Sequence, residues 1–212
     1  IMAEATRYNA ETALLLCLYG EAKAKLGDTE EAFKIYKKAM KLDENLSEAY
    51  AGIGFLLSDE NNPTSAIKFL KHAHTLSPYN TDYMYVLVEE YNKIEEFDIA
   101  LRYVNEILDL NPYDENVYIS MMECYVLKDD PDKAMESLER GLRILPGNAA
   151  LLYRKAFLYF AKDQTESGLL TLEMALERDY DGHMEFLSFD AENLTNNQAI
   201  MELIEEYRKK KA

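Results

Sequence analysis

The sequence predicts an all-α solenoid, a stack of antiparallel helix hairpins. A small residue recurs at a constant interval of 34 positions, at Ala32, Ala66, Ala100, Ala134 and Gly168. A second column follows seven positions later, at Ala39, Ala73, Ile107, Gly141 and Ala175. A period of this length is typical of arrays in which every unit is one helical hairpin. Small residues mark positions where two helix backbones approach closely, so we expect both columns to be buried at helix crossings.

Proline and cap residues locate the ends of the second helix in each hairpin. Three prolines follow the first small column by twelve positions: Pro78, Pro112 and Pro146. Each is expected to end a helix, because proline lacks a backbone donor and restricts the residue before it. Second helices are predicted to begin where Asn62 precedes Pro63 and where Asp130 precedes Pro131, and at Asp28, which would form a capping pair with Glu31. These start and stop signals predict helices of about 14 residues that are joined by short polar turns.

These columns resemble the tetratricopeptide repeat family. Residues 47–80 match its pattern best, through Tyr50, Ile53, Gly54, Leu57, Ala66, Leu70, Ala73 and Pro78. The resemblance implies a right-handed superhelical array over residues 1–182, with a half repeat at 1–12 and full repeats at 13–46, 47–80, 81–114, 115–148 and 149–182. The first and last repeats depart most from the pattern, as terminal repeats do. The resemblance is specific for fold and weak for function, because such repeats serve many unrelated systems.

The two ends of the chain differ from the internal repeats. Residues 1–12 continue the repeat frame backwards, with Met2 and Ala5 in the columns of Leu70 and Ala73, so they resemble the tail of a second helix in a chain cut from something longer. Residues 183–212 leave the period and predict an irregular apolar link followed by a capping helix. The link contains Phe186, Leu187, Phe189 and Leu194, and the helix carries Ile200, Met201, Leu203, Ile204 and Tyr207 on one side. Such a cap would cover the apolar face of the fifth repeat.

Composition excludes several classes of function. The chain carries 39 acidic and 23 basic residues, a net charge of −16, which disfavours nucleic acid and anionic lipid and favours a neutral or basic protein partner. No apolar run approaches the roughly 18–20 residues that span a bilayer. Cys17 and Cys124 lie in different repeats and are expected to stay reduced. Together with the lack of a visible signal peptide, this predicts a cytoplasmic location.

The sequence offers little for catalysis. It has no glycine-rich phosphate loop, nucleophile elbow or zinc signature, so we expect no enzymatic activity, cofactor or metal. His72 and His74 lie two apart on a helix and are expected to be solvated, pointing in nearly opposite directions. His183 lies near Asp179 and Asp181 without any recognised ligand spacing.

The resemblance implies a concave groove lined by the first helix of each repeat. Carrying the family's inner-face positions over gives Glu21, Glu48, Phe55, Asp82, Tyr85, Glu89, Asn92, Asn116, Ile119, Glu123, Tyr153, Phe157 and Phe160, with Leu14, Cys17, Ala24 and Ala51 among the smaller members. This groove would be acidic in the middle and aromatic towards the C-terminal end, which suits a peptide with hydrophobic and basic side chains. Alternatively, the rings fill space between helices or are covered by the capping segment.

Three functions remain open at this point: a non-catalytic peptide-binding module, a self-associating structural array and a regulatory arm. A more specific use, the binding of chaperone tails, is disfavoured. The carboxylate-binding pattern of chaperone-tail binders is matched only by Arg154, so that use is disfavoured. A structural array that self-associates is the main alternative to a non-catalytic peptide-binding module. A regulatory arm of a longer multidomain protein is the third.

Overall fold

The structure is a computed structural model that describes the backbone of residues 2–211 and the side chains of residues 8–211. Within this range it has thirteen α-helices and no strand. The helices are α1 (Met2–Lys25), α2 (Thr29–Leu42), α3 (Ser47–Asp59), α4 (Pro63–Leu76), α5 (Thr81–Lys93), α6 (Phe97–Leu110), α7 (Glu115–Leu127), α8 (Pro131–Ile144), α9 (Ala149–Ala161), α10 (Thr165–Arg178), α11 (His183–Ser188), α12 (Ala191–Thr195) and α13 (Gln198–Lys211). The predicted all-α fold class is confirmed.

The chain divides into two compact units, residues 1–110 and residues 111–212. In the first unit, α1 pairs with α2, α3 with α4 and α5 with α6, and each hairpin packs on the next. In the second unit, α7 pairs with α8 and α9 with α10, and the three C-terminal helices follow. Consecutive antiparallel helices of 13 or 14 residues therefore form the basic element of both units.

Most predicted helix ends are confirmed, and one capping interaction is wrong. Helices α4, α6 and α8 all end before their prolines. The side chain of Asn62 accepts a hydrogen bond from the Ser65 N–H at 3.3 Å, and Asp130 caps α8 in the same way. Asp28 lies at the start of α2, but its carboxylate accepts from the Lys23 ammonium at 3.0 Å and makes no cap. A nearby cation binds a carboxylate more strongly than a neutral backbone amide does.

The predicted burial of the small-residue columns is confirmed. Ala32, Ala66, Ala100 and Ala134 are fully buried. A Cβ added at Gly168 would lie 2.8 Å from the ring of Phe160. The helices therefore approach too closely at these positions for a larger side chain.

Helix α1 differs from the predicted half repeat. A single helix runs from Met2 to Lys25, across the boundary predicted between residues 12 and 13. No proline or glycine lies near that boundary, and the Thr12 hydroxyl donates to the Tyr8 carbonyl at 2.8 Å within a continuous helical turn. The predicted placement of Met2 and Ala5 in the apolar columns falls outside the side chains that the structure describes. The remaining repeat boundaries stay predictions.

The predicted capping helix is confirmed as α13, which packs on α10. Ile200, Ile204 and Tyr207 are buried in one cluster with Leu172 and Leu176 of α10. The Tyr207 hydroxyl donates to Glu177 at 3.2 Å, which fixes the end of α13 on α10. The preceding link is not irregular, since it forms the short helices α11 and α12.

Replacing Ala100 by leucine tests the close approach of α5 and α6. We expect Ala100→Leu to lower the free energy of unfolding by roughly 1–3 kcal/mol through overpacking. Ala161→Leu makes the same change at an exposed helix end, and Lys68→Ala removes an exposed side chain, so both should have little effect. Denaturant midpoints measure the difference. Equal midpoints for Ala100→Leu and Ala161→Leu would contradict the assigned column.

Deleting residues 196–212 tests the cap. Loss of α13 would expose Leu172 and Leu176, so the truncated chain should melt at a lower temperature and aggregate. The substitution Met201→Ser alters an exposed α13 side chain and serves as the control that leaves the cluster intact. A truncated chain that stays monomeric with an unchanged melting temperature would show that α13 is a tail.

Candidate functional site

The first unit contains an open depression of about 460 Å³, which we call the N-terminal groove. First helices α1 and α3 form its walls, and Tyr36 of α2 and Tyr83 of α5 complete its lining. Seven of the predicted inner-face residues line it: Leu14, Cys17, Glu21, Ala24, Glu48, Ala51 and Phe55. The structure therefore brings together the inner-face positions predicted for repeats one and two.

Small residues on α3 create the depression. A Cβ added at Gly52 would lie 2.3 Å from the Tyr36 ring, so the absence of a side chain lets that ring pack against the α3 backbone. Gly20 of α1 also lies against the Tyr36 ring, since a Cβ added at Gly20 would be 3.0 Å from it. Ala51 is buried beside Gly52 and adds little bulk. The lining thus leaves room for one large apolar side chain of a ligand.

Carboxylates give the N-terminal groove an acidic rim. Glu21, Glu48 and Asp59 contribute to its lining, and Lys25 is the lining cation. The Lys25 ammonium lies 2.7 Å from the Glu21 carboxylate, so these two charges compensate each other. Glu48 and Asp59 leave the groove net negative, which favours cationic over anionic ligands.

Cys17 lies buried in the lining of the groove and is chemically inert there. Burial and, to a smaller extent, the negative charge of Glu48 together raise the pKa of the thiol to about 12. A thiol with this pKa is almost entirely protonated at neutral pH, and nucleophilic or metal-binding chemistry needs the thiolate. The arrangement is therefore suited to apolar contact and not to covalent catalysis.

The predicted residues of α5 lie outside the lining of the groove. Asp82 and Glu89 are exposed, and Tyr85 and Asn92 are half-buried, at spacings that place all four on one side of α5. Although the residue as a whole is exposed, neighbouring atoms partly desolvate the Glu89 carboxylate and raise its pKa, and the nearby Lys93 opposes that shift. Glu89 therefore loses its charge at a higher pH than an ordinary glutamate does.

Glu90, beside Glu89, is a fully buried carboxylate that the sequence analysis did not identify. Its Oε1 accepts from the Ser58 hydroxyl of α3 at 2.7 Å and from the Lys93 ammonium at 2.5 Å. These contacts join the C-terminal ends of two neighbouring first helices in the first unit. Glu90 is the tenth residue of its repeat, and the tenth residue of the preceding repeat is Leu56. Comparing these positions could have shown that a carboxylate stands where the neighbouring repeat has an apolar residue.

The predicted residues of α7 lie in the second unit. Asn116 and Glu123 are exposed, whereas Ile119 is buried. Glu89 and Glu123 belong to different units, so the predicted acidic middle of the groove stays a prediction.

The aromatic end of the predicted groove is occupied by the chain itself. Tyr153 is buried, and its hydroxyl donates to the Asp179 carbonyl at 2.5 Å. Its ring lies 5.7 Å from that of Phe186 in α11, measured between centroids, and Phe186 is 0% exposed. The ring of Tyr153 is therefore packed against α11, and a contact between Tyr153 and a ligand stays a prediction.

The neighbouring predicted residues of α9 are covered by the same segment. Phe157 contacts Phe189 edge-to-face with centroids 5.7 Å apart, and Phe160 lies 6.3 Å from Phe186. The Arg154 guanidinium lies 5.0 Å from the Phe189 ring and is paired with Glu185 at 3.0 Å. These contacts favour the alternative that the capping segment covers these rings in part, and the apolar density of residues 186–194 was the signal for it.

Histidine positions differ in part from the expectation. His72 is exposed, and its ring contacts that of Tyr50 at an interplanar angle of 48°, with centroids 4.1 Å apart. His74 is not solvated, since its ring contacts Tyr103 edge-on and lies 3.6 Å from the Glu106 carboxylate. Within the described residues, no group of three or more His, Cys, Asp or Glu side chains could hold a metal ion.

Comparison with known proteins identifies the repeats. A profile of tetratricopeptide repeats matches residues 13–46, and a second one matches residues 127–184. These two stretches are tetratricopeptide repeats. Solved structures agree: MamA superimposes with a TM-score of 0.67 at 25% identity, covering 82% of this chain and 95% of MamA. YrrB, a tetratricopeptide protein with an unusual peptide-binding site, superimposes with a TM-score of 0.62 at 24% identity, covering 89% of this chain and 97% of YrrB.

A human relative is similar over most of this chain. Interferon-induced protein with tetratricopeptide repeats 2 from Homo sapiens is 29% identical over 164 residues, 73% of this chain. The chain spans 35% of the length of that protein. Tetratricopeptide proteins generally act as non-catalytic scaffolds that bind protein partners, and this supports an interaction module in general terms. No helix among the described residues is long and apolar enough to cross a membrane.

Thiol labelling tests the environment of Cys17. In the variant Cys124→Ala, Cys17 should react with a thiol reagent at pH 8 at least roughly 100-fold more slowly than a free cysteine, because little thiolate is present. The same chain unfolded in guanidinium chloride provides the reference rate. Rapid labelling of the native chain would contradict the buried position of the thiol in the groove.

Proposed function

We propose that this chain is a non-catalytic protein-interaction module whose N-terminal groove binds a peptide segment carrying one large apolar and at least one basic side chain. The observation that carries the proposal is the combination of an apolar depression with an acidic rim. Leu14 and Phe55 contribute apolar surface, while Glu48 and Asp59 contribute uncompensated negative charge. Pockets of a few hundred Å³ with a few polar groups at the edge are typical ligand sites.

The second unit supports this placement by contrast. Its inner face at α9 carries more aromatic residues than α3 does, yet α11 and Phe189 cover them. A ligand would have to displace a packed cluster to reach Tyr153, and Phe157 is half-buried against the same cluster. In the first unit, Phe55 is half-buried, and Tyr83 is the one ring it contacts among the described side chains, with centroids 6.2 Å apart. We therefore place ligand binding in the first unit and not across the full predicted list of residues.

The chemistry of the partner follows from the charges. The net charge of −16 and the acidic rim favour a neutral to basic segment. Nucleic acid and anionic membranes are disfavoured for the same reason.

A charge-reversal experiment tests the rim. Two sets of 12-residue peptides, with a central leucine flanked by arginine or by glutamate, are titrated against the chain by fluorescence anisotropy. The arginine set should bind more tightly, and Glu48→Gln should slow its association and reduce the salt dependence. Glu44→Gln removes an exposed carboxylate outside the groove and serves as the matched control. Equal binding of both peptide sets would contradict the proposed charge preference.

Truncating Phe55 tests the apolar contact separately. Phe55→Ala should weaken binding of the arginine peptides about 10- to 30-fold, chiefly through faster dissociation, because a buried aromatic anchor contributes roughly 2 kcal/mol. Tyr79→Ala truncates a ring that is exposed outside the groove and should leave binding unchanged. If Tyr79→Ala weakens binding as much as Phe55→Ala does, the peptide binds elsewhere.

A further inference from the structure

Helix α1 carries an exposed apolar stripe that the N-terminal groove does not use. We define the α1 stripe as Tyr8, Thr12, Leu15, Tyr19, Ala22 and Leu26. Its four large members are exposed by 70% (Tyr8), 66% (Leu15), 52% (Tyr19) and 81% (Leu26). The Leu26 N–H donates to the Ala22 carbonyl at 3.2 Å, so the helical turn continues to the end of the stripe. Spacings of four and three residues place all six on one side of the helix, as in a coiled-coil seam.

The same repeat positions are buried in the next two repeats of the first unit. Leu15 corresponds to Ala49 and Tyr83, and Tyr19 corresponds to Ile53 and Leu87, none of which is more than 4% exposed. These residues are covered because α2 packs on α3 and α4 packs on α5. The α1 stripe is therefore a helix-docking face by its position in the repeat. The partners of α1, α2 and α3, pack on its other side, around Ala13 and Cys17.

The order of residues in the stripe is self-complementary. If a second α1 is placed antiparallel, with the twofold axis between Leu15 and Tyr19, every large side chain meets an apolar one. Tyr8 then faces Leu26, Leu15 faces Tyr19, and Thr12 faces Ala22, in both directions. Such an isologous contact, in which residue i meets j and j meets i, is the requirement for a symmetric dimer.

Charges beside the stripe favour the antiparallel over the parallel arrangement. Glu11 lies next to the N-terminal part of the stripe and Lys25 next to its C-terminal part. Both residues lie on the same flank of the stripe, and antiparallel pairing brings like flanks together, so Glu11 of one copy comes near Lys25 of the other, which also pairs with Glu21 of its own helix. In a parallel pair each flank faces the opposite flank of the second helix, so Glu11 and Lys25 would not meet. In coiled coils, charges at these flanking positions set helix orientation.

We propose that the chain forms a twofold-symmetric dimer in which α1 pairs antiparallel with α1 of a second copy through the α1 stripe. The six residues of the stripe are distinct from the lining of the N-terminal groove, whose α1 members Cys17 and Glu21 lie on other sides of the helix. Lys25 lies at the edge of both surfaces. One copy would thus offer a ligand groove and a separate association surface on the same helix. A dimer would present two such grooves.

Sedimentation of the full chain tests the dimer. The wild-type chain should be dimeric over about 1–100 µM, and Leu15→Gln with Tyr19→Gln should raise the dimer dissociation constant at least roughly 100-fold, because four buried apolar side chains are lost per dimer. Both sites are exposed and glutamine is a good helix former, so the helix should persist. Leu170→Gln with Met174→Gln changes a pair on α10 that is 61% and 47% exposed, and should leave the dimer intact.

Cysteine cross-linking tests the orientation. Tyr8→Cys combined with Leu26→Cys should give a disulfide-linked dimer under oxidation, because the two positions face each other across the interface. Within one copy they are about 27 Å apart along the helix and cannot be bridged. Tyr8→Cys alone should give no cross-link, since the two copies of that residue lie at opposite ends of the contact.

Several results would overturn the proposal. A wild-type chain that stays monomeric at 100 µM would assign the stripe to a helix from outside this chain. Equal loss of the dimer in the Leu170 and Met174 variant would place the interface elsewhere. Efficient cross-linking by Tyr8→Cys alone would show a parallel pair. Each of these results would overturn the dimer and still be compatible with peptide binding in the N-terminal groove, so the two proposals can be tested separately.

Discussion

The close approach of helices at small residues is the constraint on which the rest of this structure depends. At Gly52 a single methyl group would collide with the Tyr36 ring, and at Gly54 it would collide with Leu70. Because the backbones come this near, large side chains such as Tyr36 can pack across two first helices at once. The depth of the N-terminal groove is a direct consequence, because Ala51 has a small side chain and Gly52 has none, whereas Leu14 and Phe55 line the groove with large ones.

The chain itself covers part of its inner face, and this limits the surface that is available to a ligand. Both units expose first-helix positions with suitable chemistry, but in the second unit Phe186 and Phe189 fill the space over α9. The capping segment therefore does two things: α13 closes the apolar side of α10, and α11 closes the inner face of α9. No equivalent segment covers α1 among the described residues, where the groove and the α1 stripe remain open on different sides of the helix. Binding and association are accordingly both assigned to the first unit.

Sequence periodicity predicted the fold well because each column has a local physical cause. A proline cannot continue a helix that precedes it, and a buried alanine at a helix crossing cannot be replaced by a larger residue without overpacking. The roles of Pro78 and Ala100 could therefore be predicted from the sequence. Accessibility could not be predicted in the same way. Whether Tyr153 faces a ligand or Phe186 depends on how residues beyond the repeats fold back, and that segment has no period to follow. The pairing of Asp28 with Lys23 instead of the α2 backbone was missed for a related reason, because two acceptable partners compete and only geometry selects one.

Methyl resonances measured during a peptide titration test the central claim most directly. The chain is labelled at alanine and leucine methyl groups, and a leucine–arginine peptide is added. The account predicts shifts at Leu14 and Ala51 of the N-terminal groove, and none at Ala150 or Leu187, where the inner face of the second unit is covered by the chain itself. Shifts confined to Ala150 and Leu187, with Leu14 and Ala51 unchanged, would contradict it.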